Sequence, residues 1–156
     1  MKSSAALLAA ILAAGPQVST TGKTPDLWVE AWLSTAGPYG EGWTLRLAPN
    51  GNVFLRVLYM GNPSGNLLAD LDVGDEYERH LRAAIETHRF FDLPTDISPK
   101  SAVLHLPDFT MDVALGGKRH KVRLYDPKQL EADSRTKRFL AVWEALFEGL
   151  PMKPSW

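Results

Sequence analysis

The chain contains no cysteine. That excludes disulfides, thiol catalysis, thiolate metal sites and a lipid-modified amino-terminal cysteine. It also lacks an excess of charge of either sign, with 17 Lys and Arg against 18 Asp and Glu and a net charge of −1 at pH 7. The basic residues are scattered, so no electrostatic footprint for nucleic acid is present. The short clusters "GGKRHKVR" (116–123) and "SRTKR" (134–138) read as solvated surface. Long apolar runs are missing as well. The uncharged stretch "AALLAAILAA" (5–14) is too short to cross a bilayer as a helix.

Several chemical signatures are absent from the sequence too. There is no HExxH pair for zinc, no GxSxG elbow, no P-loop and no GxGxxG turn. His80 and His88 stand eight apart on one expected helix, where four would aim two imidazoles at one ion. His105 falls in a loop and His120 in a strand, so no metal site and no cofactor is implied. The acidic stretch "DLDVGDE" (70–76) fails as a calcium loop. With Asp70 first, the sixth position is Asp75 instead of Gly and the twelfth is Leu81 instead of Glu. Its carboxylates read instead as helix-capping groups at the positive end of a helix dipole. Asp108 and Asp112 at a strand start read as an acidic rim. Paired carboxylates for glycoside hydrolysis are not excluded by spacing.

What is present is the composition of a folded protein, 45% hydrophobic and 22% charged over 156 residues, enough for one domain and one core. Residues 1–22 have the layout of a secretory leader: Lys2, the apolar run, then a polar exit through "GPQVSTTG". An ordinary amino-terminal helix is the competing reading. Export, to a periplasmic or extracellular location in a bacterium, fits a cysteine-free domain held by its core alone. The domain itself spans 25–151, followed by a short tail, 152–156.

Along the domain, "LWVEAWL" (27–33) alternates as a strand, with a helix capped by Thr24 as the rival. A Gly/Pro-rich loop follows (34–42). "WTLRLA" and "VFLRVLY" around the turn "PNGN" form a hairpin. Residues 61–66 read as a loop. A helix follows, expected to be capped by Asp75 with Glu78 completing a capping box. Its apolar stripe runs Tyr77, Leu81, Ala84, Ile85 and His88, which brings Phe91 inward and turns Phe90 aside before Leu93-Pro94 ends the element. A second loop (95–108) leads to a second hairpin, "TMDVAL" and "RHKVRLY" around "GG". A last helix from about Ser134 to Glu148 buries Phe139, Val142, Trp143, Leu146 and Phe147, with Gly149 as its terminator. Two single-striped helices need the same apolar sheet face. The fold class is therefore α+β: an antiparallel sheet of two hairpins plus an amino-terminal strand, with two helices on one side.

The gapped hairpin, the capped helix ending in "FFDLP", the hairpin "DFTMDVALGGKRHKVRLYD" and the final amphipathic helix together resemble the emfourin-like group of bacterial proteins. They also resemble a related domain of unassigned activity found in exported bacterial proteins. The resemblance covers about residues 43–149. It implies the same fold and, for emfourins, inhibition of thermolysin-type metallopeptidases. This chain departs from emfourins in its export-like leader and its 34–42 loop.

Binding rather than catalysis is the class these residues favour. Five tryptophans are many for this length. Periodicity assigns Trp143 and Trp43 to the core, but Trp28, Trp32 and Tyr39 have no such explanation, and aromatics beside Gly/Pro loops are the usual interface anchors. Trp28, Trp32, Tyr39 and Trp43 are thus the candidate binding residues, and packing of Trp28 or Trp32 under the 34–42 loop is the alternative. The expected function is a non-enzymatic protein-binding module whose partner is another exported protein such as a metallopeptidase. The rival is a small hydrolase or ligand-binding domain with a cleft near the 34–42, 61–66 and 95–108 loops.

Overall fold

The computed structural model describes residues 26–34, 42–48, 50–59, 62–101, 106–150 and 153. The expected leader, Tyr39 and His105 lie outside them.

The β-branched, aromatic and leucine-rich runs that alternate with polar residues become long strands. The first is β1 (Leu27–Ser34), followed by β2 (Gly42–Leu47), β3 (Asn52–Tyr59) and β4 (Asn62–Asp72). Next comes α1 (Gly74–Thr87), then a single 3-10 turn and the two-residue strand β5 (Asp96–Ile97). The chain closes with β6 (Asp108–Leu115), β7 (Lys118–Tyr125), a 3-10 turn and α2 (Ser134–Phe147). They form one seven-stranded sheet in the order β4-β3-β2-β1-β6-β7-β5, antiparallel except where β5 runs parallel to β7. The α+β class and the largely antiparallel sheet are as the pattern implies.

The amino-terminal strand is the centre of the sheet. β1 pairs with β2 on one side, Ala31 opposite Leu45, and with β6 on the other, Ala31 opposite Met111. Its inward residues Leu27, Val29, Ala31 and Leu33 are all buried. The hairpins close as their turn residues dictate. Gly51 takes φ +84, and Asn50 Oδ1 accepts from the Asn52 amide at 3.3 Å. Gly116 and Gly117 both have positive φ, the geometry of a two-residue turn that matches strand twist.

One core lies between the sheet and the helices. Leu81 and Ile85 of α1 and Phe139, Val142, Trp143, Leu146 and Phe147 of α2 join the inward sheet residues in a single cluster. Burial of each such side chain is worth about 1.5–3 kcal/mol. Asp26 ties the turn between β6 and β7 to α1. Its Oδ1 accepts from the Gly116 amide at 2.8 Å, and its Oδ2 pairs with Arg82 of α1 at 2.8 Å.

Three expectations are corrected. Residues 62–66 are not a loop but the first half of β4, an eleven-residue edge strand. Proline and glycine in "NPSG" suggest a turn, yet on an edge strand Pro63 needs no ladder donor, and register shifts against β3 absorb the irregularity. The capping box at α1 is also absent. The cap position is Val73, with no side-chain hydrogen bond; Asp72 Oδ1 instead accepts from the Gly74 amide at 3.3 Å. Glu78 is drawn away to Arg82, one turn on, at 2.5 Å. Finally, the buried phenylalanine is Phe90, fully enclosed, while Phe91 is half-buried. α1 stops at Thr87, and Arg89 adopts left-handed backbone, φ 50 and ψ 51. That single residue rotates the chain out of helical phase, so the stripe no longer predicts which ring points inward.

Candidate functional site

Alternation along the strands gives the sheet two different faces. The inward one is covered by the helices. On the other, among the described residues, no helix lies. Here β1 presents Trp28, Glu30 and Trp32, all half-buried. In a strand, residues four apart on one face stand about 13 Å apart.

Both tryptophans are held by cations from β7. The Arg119 guanidinium lies 5.0 Å from the centre of the Trp28 ring, and Lys121 Nζ lies 5.1 Å from that of Trp32. Such stacking needs the cation over the ring face, which the register supplies. Trp28 pairs with Ala114, which pairs with Arg119, while Trp32 sits opposite Thr110, one strand from Lys121 and Arg123. Arg123 continues the pattern over Tyr125 at 5.2 Å.

Carboxylates fix the two arginines. Asp112 is buried and receives a fork from Arg119, Nε to Oδ1 at 3.0 Å and Nη2 to Oδ2 at 2.9 Å. That hydrogen bonding, with the neighbouring negative charge, strengthens the hold of Arg119 on its proton. Arg123 is held in the same way by Asp108, Nη2 to Oδ2 at 2.7 Å. Between the two tryptophans, Glu30 accepts from Arg46 of β2 at 3.0 Å. The result is a band of alternating aromatic and paired charged groups across β2, β1, β6 and β7, positioned by strand pairing instead of loops.

Of the sequence-predicted residues, the structure brings Trp28 and Trp32 together on this face. Trp43 points the other way, opposite Leu33, and packs half-buried against the core. Tyr39 is outside the described residues. Arg119 and Lys121 were missed because the basic cluster reads as solvent-facing surface, and Arg46 because a lone arginine in "WTLRLA" gives no signal. The signal was there in "KRHKVRLY": alternation puts Arg119, Lys121 and Arg123 on one face and His120, Val122 and Leu124 on the other.

Two of the histidines, His120 and His80, make structural contacts. His120 Nε2 lies 2.8 Å from the Leu93 carbonyl, its ring against Phe90 and Phe91. His80 Nε2 lies 2.8 Å from Glu148 Oε2. Among the described residues no group of three or more His, Asp or Glu side chains is gathered to hold a metal ion. A Ser-x-x-Lys spacing that sequence reading passes over, Ser134 and Lys137, sits exposed on the first turn of α2. No described helix is long and apolar enough to cross a membrane. Neither family models nor curated proteins give a match to this chain.

Proposed function

We infer that this chain is a non-enzymatic protein-binding module, acting after export on another exported protein. The observation that supports this reading is the cation-capped pair Trp28 and Trp32 on the helix-free face of the sheet. Tryptophan and arginine are the side chains that dominate protein interfaces, where a large rigid ring combines with a charge already desolvated on one side. Here they are ordered before any partner arrives, so little side-chain freedom remains to be lost on binding. The neighbouring charges are paired with one another, which suits a polar rim around aromatic anchors.

The resemblance to emfourins narrows the partner to a thermolysin-type metallopeptidase, with the chain as its inhibitor. The rival reading, a hydrolase or ligand-binding cleft bounded by the 34–42, 61–66 and 95–108 loops, loses one of its walls because 62–66 is strand. The test is inhibition of several secreted thermolysin-type peptidases at near-stoichiometric amounts of the chain. Inhibition that is lost in Trp28→Ala and Trp32→Ala, with the fold intact by circular dichroism, supports the reading. No effect on any of them removes the inhibitor version. Inhibition unchanged in both variants moves the contact away from this face.

A further inference from the structure

The two edges of the sheet are treated differently by the sequence. β7 is rich in cations, with Lys118, Arg119 and Lys121, and is partly covered by the two-residue edge strand β5, both of which discourage pairing with another chain. β4, at the other end, is eleven residues long and has no charged residue from Asn62 to Ala69. It also carries Leu67, 51% exposed. Among the described residues no further strand lies beyond β4, and along its last four residues such an edge offers a row of backbone donors and acceptors to an incoming strand.

Its last four residues pair regularly with β3, Ala69 with Leu55 through Asp72 with Asn52, so they form a straight template. Beside them lies a groove of about 680 Å³ between the end of β4, α1 and the segment following α2. Leu71, Val73, Tyr77 and Leu150 give it an apolar floor, and Glu76 and Glu148 an acidic rim. Glu148 is shared with His80. Among the described residues, no ion pair joins a cation to Asp70, Asp72, Asp75 or Glu76; Arg79 stands one turn on from Asp75 and lines a recess with it, and Arg82 is spent on Glu78 and Asp26. The positive end of α1 offsets only part of this charge. These carboxylates do not converge as a metal site. Asp70 and Asp72 lie along the edge and Asp75 and Glu76 follow on the first turn of α1, an arrangement that meets a row of cations rather than one ion.

We propose that the edge of β4 and its groove bind an extended basic peptide, which adds an eighth strand to the sheet. The register sets the motif. Asp70 and Asp72 lie on the helix-free side of β4 and Leu71 on the groove side, so the ligand is a basic–apolar–basic triplet. Its two cations face Asp70 and Asp72, and its apolar residue enters the groove over Leu71. A second copy of this chain is the poorer occupant, since pairing β4 with β4 sets the acidic ends of two identical edges into one sheet. This site is separate from the Trp28–Trp32 face, so the two proposals stand or fall independently.

The probe is a fluorescein-labelled pentapeptide, threonine–lysine–valine–lysine–threonine, titrated with the full chain and followed by anisotropy. It is expected to bind about tenfold more tightly than the same peptide with glutamate for lysine, and to weaken by a similar factor in Asp70→Asn/Asp72→Asn. Both aspartates are exposed, and the amide oxygen that Asp72→Asn introduces keeps an acceptor for the Gly74 amide, so the variant retains the fold. Methylation of the valine amide and of the amide that follows removes backbone donors without changing charge, and abolishes binding. Trp28→Ala leaves binding unchanged. Equal binding of the glutamate peptide or of the methylated peptide overturns the proposal. So does an unaltered affinity in the double variant, or a dimer of the unliganded chain that the peptide fails to dissociate.

Discussion

Phe90 and Phe91 meet edge to face, ring centroids 6.2 Å apart and planes at 90°, yet only Phe90 is inside the core. Phe90 touches Phe139 of α2 at 6.3 Å and His120 of β7 at 6.0 Å, joining three elements at one point. Phe91 covers it from outside. Truncating a fully buried aromatic leaves a cavity that its neighbours fill only in part. Phe90→Ala is therefore expected to cost about 3–5 kcal/mol. Phe91→Ala, at a half-buried site, is expected to cost about 1–2 kcal/mol. Urea denaturation of the two variants checks the order; a larger loss for Phe91 would contradict the packing described.

The origin of this arrangement shows what a sequence carries and what it does not. Alternation places Trp28 and Trp32 on one face of β1 and Leu27, Val29, Ala31 and Leu33 on the other, because the strand period is set by covalent geometry. The stripe of α2 is legible for the same reason, and all five residues assigned to its inward face are buried. Phe90 escapes because its orientation follows from the positive φ of Arg89, and arginine gives no hint of left-handed backbone. β4 escapes because Pro63 and Gly65 read as a turn unless the strand is known to lie at an edge. The central position of β1 and the cations over its tryptophans depend on which strands become neighbours. No local pattern encodes that.

Acid should loosen the start of α2. Asp133 caps this helix, accepting from the Arg135 amide at 2.7 Å and from the Arg135 guanidinium. The Arg135 side chain, with backbone amides at the helix start, lowers the Asp133 carboxyl to about 2. Because the folded chain holds the ionised form, its contribution is complete above the ordinary carboxylate range near 4 and fades as pH falls through about 2. Asp133→Asn keeps a capping acceptor but cannot titrate. Its stability, measured by chemical denaturation, should fall less steeply than that of the parent between pH 4 and pH 2. Asp133→Ala removes the cap and should cost about 1 kcal/mol at neutral pH.

At the other end of the pH scale the responsive group is Tyr77. Its hydroxyl donates to the Leu146 carbonyl in the last turn of α2, and burial pushes its ionisation above the usual tyrosine range. The unfolded chain loses this proton near pH 10 while the folded chain retains it. Stability from this group is thus full below pH 10 and declines as pH rises beyond it. Absorbance titration at 295 nm should show one tyrosine ionising late, and Tyr77→Phe should remove that component. The same substitution should cost about 0.5–1.5 kcal/mol at neutral pH, through loss of one hydrogen bond between the helices. A full complement of tyrosines ionising together would argue that α1 and α2 are not joined there.

The last test concerns a polar atom inside the core. Thr136, in the first turn of α2, is wholly buried, and its hydroxyl finds no partner among the protein's described groups. Burying a hydroxyl without a hydrogen bond is unfavourable, whereas its methyl group packs like any other. Valine has nearly the same shape and a similar helix propensity, so Thr136→Val should gain about 1 kcal/mol. Serine keeps the hydroxyl and deletes the methyl; Thr136→Ser should lose about 1 kcal/mol. Thermal denaturation of the pair separates the two contributions. A loss in the valine variant equal to that in serine would mean that the hydroxyl is satisfied in solution and belongs to the helix start.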